Sequence, residues 1–208
     1  LGDVYKRQDI DGIQANEYFG ISTDLSADGT IVAVGGHGYD YNGEDRGSVS
    51  VYQYSNGDWS LLGDEIKGEA AGDYSGYSVS LSEDGTIVAI GEYGYDGNGG
   101  TDSGLASIFQ YSNGSWNQLG SSIGGTDSGM YLGVSVDLSA DGTIVAVGAD
   151  GTDYGNYYTD TGSVSIFQYS NGSWNQLGDD IYGEAAYDYS GGSVSLSDDG
   201  LTLAVGAY

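Results

Sequence analysis

The chain has 208 residues, with 39 Gly and 20 Tyr but neither Pro nor Cys, a mixture that suits short strands joined by glycine turns and excludes a helical protein or a disulfide scaffold. Its 31 acidic residues face only 4 basic ones, a formal net charge of −27. This excludes the counterion exchange that binds nucleic acid and repels anionic membrane surfaces, and no stretch approaches the roughly 20 apolar residues that insert into a bilayer.

Residues 1–8 come first and stand apart. Leu1-Gly2 matches the Leu-Gly pairs at 62–63, 119–120 and 177–178, whereas the segment Asp3 to Gln8 breaks the pattern and holds two of the four bases, Lys6 and Arg7. We read this segment as a non-native leader of translated adapter type. With no initiator Met at one end and a stop at Tyr208, the chain reads as a piece of a longer one.

From residue 9 onward one unit recurs. Asp-Gly-Thr-Ile-Val-Ala occupies 28–33, 84–89 and 141–146, with a fourth turn at Gly200, and Trp59, Trp116 and Trp174 hold one repeat position. The segment Ile108 to Gly120 returns unchanged as Ile166 to Gly178. The boundaries are 9–66, 67–123 and 124–181 for three complete repeats and 182–208 for half of a fourth.

The second repeat shows the elements in order. Tyr77, Val79 and Leu81 alternate with Ser78, Ser80 and Ser82, which predicts a half-buried first strand. Asp84-Gly85 turns the chain, and Ile87 to Ile90, apolar on both faces, predicts a strand deep between neighbouring sheets. A Gly- and Asp-rich loop from Gly91 to Gly104 precedes a third strand over 107–111. Asn113-Gly114 makes a second hairpin before a fourth strand carrying Trp116 and Leu119. Four antiparallel strands per repeat predict an all-β fold, a β-propeller of four-stranded antiparallel blades, incomplete at about three and a half blades. A solenoid of stacked hairpins is the alternative. The tryptophans are read as blade core or inter-blade packing.

The long loops carry the candidate site residues. Asp40, Asn42, Glu44 and Asp45 cluster in the first; Asp96, Asn98 and Asp102 in the second; Asp153, Asn156 and Asp160 in the third. Oxygen ligands crowded into glycine-rich loops make Ca²⁺ the candidate cofactor, against the reading that Asp and Asn collect there because they make Asx-turns and tolerate left-handed backbone. Tyr39, Tyr41, Tyr93, Tyr95, Tyr154, Tyr157 and Tyr158 share these loops. Such rings give rigid amphipathic contact area for a surface glycan or protein ligand, or cover loop backbone. All three loops leave the same edge of their blades, which predicts one tyrosine-rich, acidic face.

Enzyme chemistry finds little to build on. His37 is the lone histidine, with Tyr93 and Asp150 at its repeat equivalents. There is no Cys nucleophile, no nucleophile elbow followed by a His partner, and no phosphate loop with its Lys. Repeats this alike leave little room for one differentiated catalytic centre, so no catalytic residue is assigned. Asn113-Gly-Ser115 and Asn171-Gly-Ser173 fit a glycosylation sequon and a hairpin turn equally well.

The repeat resembles the integrin-like FG-GAP repeat, closest to the tandem variant of secreted and cell-surface bacterial proteins. The resemblance is carried by Phe19-Gly20 with Val34-Gly35-Gly36, by the run Ser75 to Gly91, and by Gly148-Ala149 and Gly183 to Ala186. It covers residues 9–208 and implies a β-propeller outside the cell, used for adhesion or binding. The family holds calcium in the turn between first and second strands. Here Asp24 and Asp28 keep part of that set, but Val32, Val88, Val145 and Leu203 replace its distal Asp, and Ser80 and Ser195 its first. The turn is therefore read as a plain hairpin. Self-association through strand edges, building surface layers or filaments, is the alternative use, and a polysaccharide-cleaving propeller the second.

Overall fold

The computed structural model describes residues 9–12, 17–38, 45–153 and 159–208. Among them are seventeen strands, and no helix is long and apolar enough to cross a membrane. The first blade holds β1 (Phe19–Leu25), β2 (Ile31–Gly36), β3 (Ser48–Ser55), β4 (Asp58–Leu61) and β5 (Ile66–Lys67). The second holds β6 (Ser78–Leu81), β7 (Ile87–Glu92), β8 (Leu105–Ser112), β9 (Ser115–Gln118) and β10 (Ile123–Gly124). The third holds β11 (Ser135–Leu138), β12 (Ile144–Ala149), β13 (Ser163–Ser170), β14 (Ser173–Gln176) and β15 (Ile181–Tyr182). A fourth sheet pairs β16 (Ser193–Leu196) with β17 (Leu203–Gly206). The result is an open, incomplete β-propeller of antiparallel blades.

Each complete blade has one more strand than the four expected, and pairing explains it. β4 pairs with the last residues of β3, and β5 with the first ones. The outermost strand is thus one edge broken in the middle, at Leu62 to Glu65. The same break separates β9 from β10 and β14 from β15.

The turn between first and second strands is closed by its own side chains. Asp84 Oδ1 accepts from the Ser82 hydroxyl, the Thr86 N–H and the Thr86 hydroxyl, while Ser82 Oγ accepts the Ile87 N–H. Asp28 and Asp141 repeat all four bonds. Successive turns are also linked: Ala27 N–H donates to the Glu83 carbonyl, Glu83 N–H to Ala140, and Ala140 N–H to Asp198, at 2.8–2.9 Å.

β2, β7 and β12 are buried along their whole length, as their apolar runs predict. The core lies between blades: Ile87, Ala89, Ala106 and Ile108 of the second blade pack with Val136, Leu138, Val145 and Val147 of the third. The first strand of the second blade, β6, departs from the half-buried expectation. Ser80 and Ser82 are 3% and 1% exposed, so the serine face meets neighbouring blades rather than water. Ser22, Ser78 and Ser135 hydroxyls donate to the carbonyls of Gly76, Gly133 and Gly191 in the following blade, at 2.7–2.8 Å. Blades approach this closely because glycine lines the seam: a Cβ on Gly91 would lie 1.9 Å from the Gly133 oxygen.

Candidate functional site: a tyrosine-lined cavity

Two repeat positions build one end of the propeller. The first lies just before each first strand, where Tyr18, Tyr74, Tyr131 and Tyr189 all adopt left-handed backbone, with φ of 49°, 54°, 54° and 48°. Such a conformation is unfavourable for a residue with a Cβ, and the fold fixes it by inter-blade bonding. The N–H groups of Tyr74, Tyr131 and Tyr189 donate to the carbonyls of Asp45, Asp102 and Asp160 of the preceding blade, at 3.1–3.2 Å. Those aspartates are left-handed themselves, with φ of 48°, 52° and 39°. The second position follows each second strand and is occupied by His37, Tyr93, Asp150 and Tyr208.

These rings form two groups, one running from Tyr18 through Tyr93 to Tyr131 and one at Tyr189 and Tyr208. Tyr93 stacks on Tyr74 with centroids 5.1 Å apart and planes within 8°, and meets Tyr77 edge-on at 4.5 Å. His37 adds contacts to Tyr18, Tyr74 and Tyr77, and Tyr189 stacks on Tyr208 at 5.5 Å. A cavity of about 420 Å³ opens beside them, lined by Tyr77, Tyr93, Tyr131, Tyr189 and Tyr208 with Asp150 and Asp160.

Burial and the neighbouring Tyr74 and Tyr77 push the Tyr93 hydroxyl up to about 12, so it stays a neutral donor. Burial, and then the nearby Asp160 charge, raise Asp150 above the usual carboxylate value. Burial lowers His37, whose ring nitrogens find no hydrogen-bond partner among the described residues; its neutral form is favoured.

The expected site residues divide. Tyr93 lines the cavity. Tyr95 does not: its ring lies over Gly97, and its carbonyl accepts the Gly104 N–H. Asp96 Oδ1 accepts the Asp102 N–H at 2.8 Å, and Asp153 Oδ1 those of Thr159 and Asp160, at 2.6 and 3.0 Å. Asp45, Asp102 and Asp160 hold the left-handed positions described above, and Asn98 is exposed on its loop. Among the described residues, no three acidic or histidine side chains are grouped so as to hold a metal ion. Tyr39, Asp40, Tyr41, Asn42, Glu44, Tyr154, Asn156, Tyr157 and Tyr158 lie outside the described residues. Tyr74, Tyr77, Tyr131, Tyr189, Tyr208 and Asp150 belong to the site without having been singled out as ligand contacts. The recurrence of Tyr two residues before the Gly of each first strand was the available signal.

The opposite end is acidic. Asp28, Asp84, Asp141 and Asp199, with Glu83 and Asp198, line a cleft of about 630 Å³. The N–H groups of Thr30 and Thr143 are the main reason Asp28 and Asp141 sit below the usual carboxylate range. Asp24 faces the neighbouring blade instead, its Oδ2 accepting the Leu81 N–H at 2.6 Å.

Residues 67–109 match the sequence profile of the FG-GAP repeat. No curated protein sequence matches the chain. Among solved structures, it is similar to a Kuenenia stuttgartiensis hydrazine synthase (TM-score 0.55, 14% identity, 94% of this chain and 44% of that one). It is also similar to a proposed 6-phosphogluconolactonase from Bacteroides uniformis (TM-score 0.54, 15% identity, 88% and 46%). A hypothetical selenium-binding protein from Sulfolobus tokodaii gives a TM-score of 0.50 at 14% identity, over 76% and 39%. The chain spans less than half the length of each, and at these identities the likeness is one of fold. The match covers one repeat, residues 67–109, and the turn, strand and seam residues of that repeat recur in the other blades.

Proposed function

We propose that the chain is a non-enzymatic recognition scaffold of the cell exterior, engaging a surface glycan or protein ligand through its tyrosine-lined end. The observation that supports this reading is the cavity of about 420 Å³ walled by rings from successive blades. Rings fixed by stacking give contact area at low entropic cost, and the Tyr93 hydroxyl, kept neutral, supplies a hydrogen-bond donor. The blade interiors, by contrast, are filled by repeating Val, Ile and Ala, so ligand contact falls to the ends of the sheets. Arrays of glycans and surface-protein peptides, probed with the wild-type chain and with Tyr131→Ala, test the reading. Saturable binding lost in the variant, with the ligand recovered intact, is the expected result. Binding unchanged by the substitution, or cleavage of the ligand, would refute it.

A further inference from the structure

The third blade breaks the aromatic repeat at the cavity. The repeat position that follows the second strand holds His37, Tyr93 or Tyr208 in the other blades and Asp150 in this one. In blade order Asp150 stands between Tyr93 and Tyr131 on one side and the stacked Tyr189–Tyr208 pair on the other. Asp160 lines the same space, close enough for its charge to act on Asp150. Among the described residues lining the cavity there is no Lys, Arg or His.

Two like charges are thus held in one partly desolvated space whose remaining walls are ring faces. Both features favour a cation: the carboxylates by direct attraction and the rings through their quadrupoles. An anion is repelled, and a neutral sugar ring could stack but would leave the carboxylates uncompensated. A hydrated metal ion fits poorly, because aromatic walls cannot supply the six to eight oxygens that calcium takes. An ammonium carrying alkyl groups meets every wall, presenting apolar surface to the rings and charge to the carboxylates.

We propose that the cavity takes an alkylated ammonium group of the choline type, with Asp150 and Asp160 as counter-charges and Tyr77, Tyr93, Tyr131 and Tyr189 as walls. This rests on the cavity being the ligand site, and it names the chemical group recognised there.

Calorimetric titration of the full chain tests it, with choline, its uncharged isostere 3,3-dimethylbutan-1-ol and methyl glucoside, in about 0.15 M NaCl to screen the general surface charge. Choline is expected to bind saturably, the isostere at least about tenfold more weakly. Asp150→Asn, which keeps the shape and removes one charge, is expected to bring choline towards the isostere. The same variant separates cavity binding from adsorption to an acidic surface, since the other acidic residues remain. Equal binding of choline and isostere, or choline binding untouched by Asp150→Asn, would overturn the proposal. Methyl glucoside binding without choline would overturn it while leaving the cavity a ligand site, and no binding of any of the three would overturn it while leaving the cavity as a ligand site to the array test.

Discussion

The Trp116 indole nitrogen donates to the Leu62 carbonyl at 2.8 Å, across the boundary between the first two blades. Trp174 does the same to Leu119 at 2.7 Å. Each carbonyl belongs to the break in the outer strand of the preceding blade, and the glycine beside it is left-handed. A Cβ on Gly63 would lie 3.1 Å from Trp116 Cδ1. The Leu-Gly and Trp positions are therefore two halves of one inter-blade joint. Trp116→Phe keeps an aromatic ring but loses the donor and part of the indole's packing surface, and should lower stability by about 1–2 kcal/mol or more in denaturant unfolding. Gly63→Ala strains the same joint through its backbone. An unchanged midpoint for Trp116→Phe would mean that this joint adds nothing to the stability of the blades.

Asp24, Ser80 and Asp137 occupy equivalent places on three successive first strands, and they form a chain. Ser80 Oγ donates to Asp137 Oδ1 at 2.9 Å and accepts the Leu138 N–H at 3.1 Å. Asp24 and Asp137 carboxylates accept the N–H groups of Leu81 and Leu196, both at 2.6 Å. Burial, partly offset by these bonds, raises Asp24, and the Asp137 charge adds to the rise. The alternation of Asp with Ser keeps a neutral donor between two partly buried carboxylates. Ser80→Asp should therefore cost about 2 kcal/mol or more at pH 7. Most of that loss should return as the pH falls towards 4 and the introduced carboxyl, crowded by its neighbours, takes up a proton. A loss independent of pH would point to steric misfit instead.

Periodicity carried the architecture, because turn and strand chemistry here is local: Ser-x-Asp-Gly-Thr closes its own hairpin, and Ile-Val-Ala-Ile needs only two apolar faces. The broken outer strand was not legible, since Leu62-Gly63 reads as a strand end until Trp116 of the next blade is seen resting on it. The serine face of β6 was misjudged for the same reason. Alternation marks two faces, but which of them meets water depends on the next blade. Of the loop tyrosines, Tyr93 reached the cavity and Tyr95 covered backbone. Tyr131 and Tyr189 lie outside the long loops and enter the site only because their left-handed backbone turns them to the same end.

Asp96 tests whether the loop carboxylates serve structure or calcium. Its Oδ1 accepts the Asp102 N–H, and Asp102 in turn holds Tyr131 through its carbonyl. Asp96→Ala should cost about 1 kcal/mol, equally in EDTA and in millimolar Ca²⁺ matched for ionic strength, and should weaken ligand binding at the cavity through Tyr131. A loss of stability confined to the calcium-containing sample would make Asp96 a metal ligand.

Glu92 gives the chain a stability profile falling towards neutral pH. It ends β7, is 6% exposed, and has no acidic counterpart in the other blades, where Gly36, Ala149 and Ala207 stand. Burial raises its carboxyl to about 7, opposed by the Ser107 hydroxyl and reinforced by the Asp73 and Glu69 charges. The folded state therefore holds this proton more tightly than the unfolded chain does. Its contribution is fully present below pH 4.5 and is lost as the pH rises to about 7. The difference corresponds to about 3 kcal/mol. Glu92→Gln, which cannot ionise and keeps the shape, should match the wild type near pH 4 and exceed it above pH 7. Chemical unfolding of both proteins across that range measures it. Parallel curves would show that Glu92 keeps an ordinary affinity for its proton, with a hydrated path to solvent.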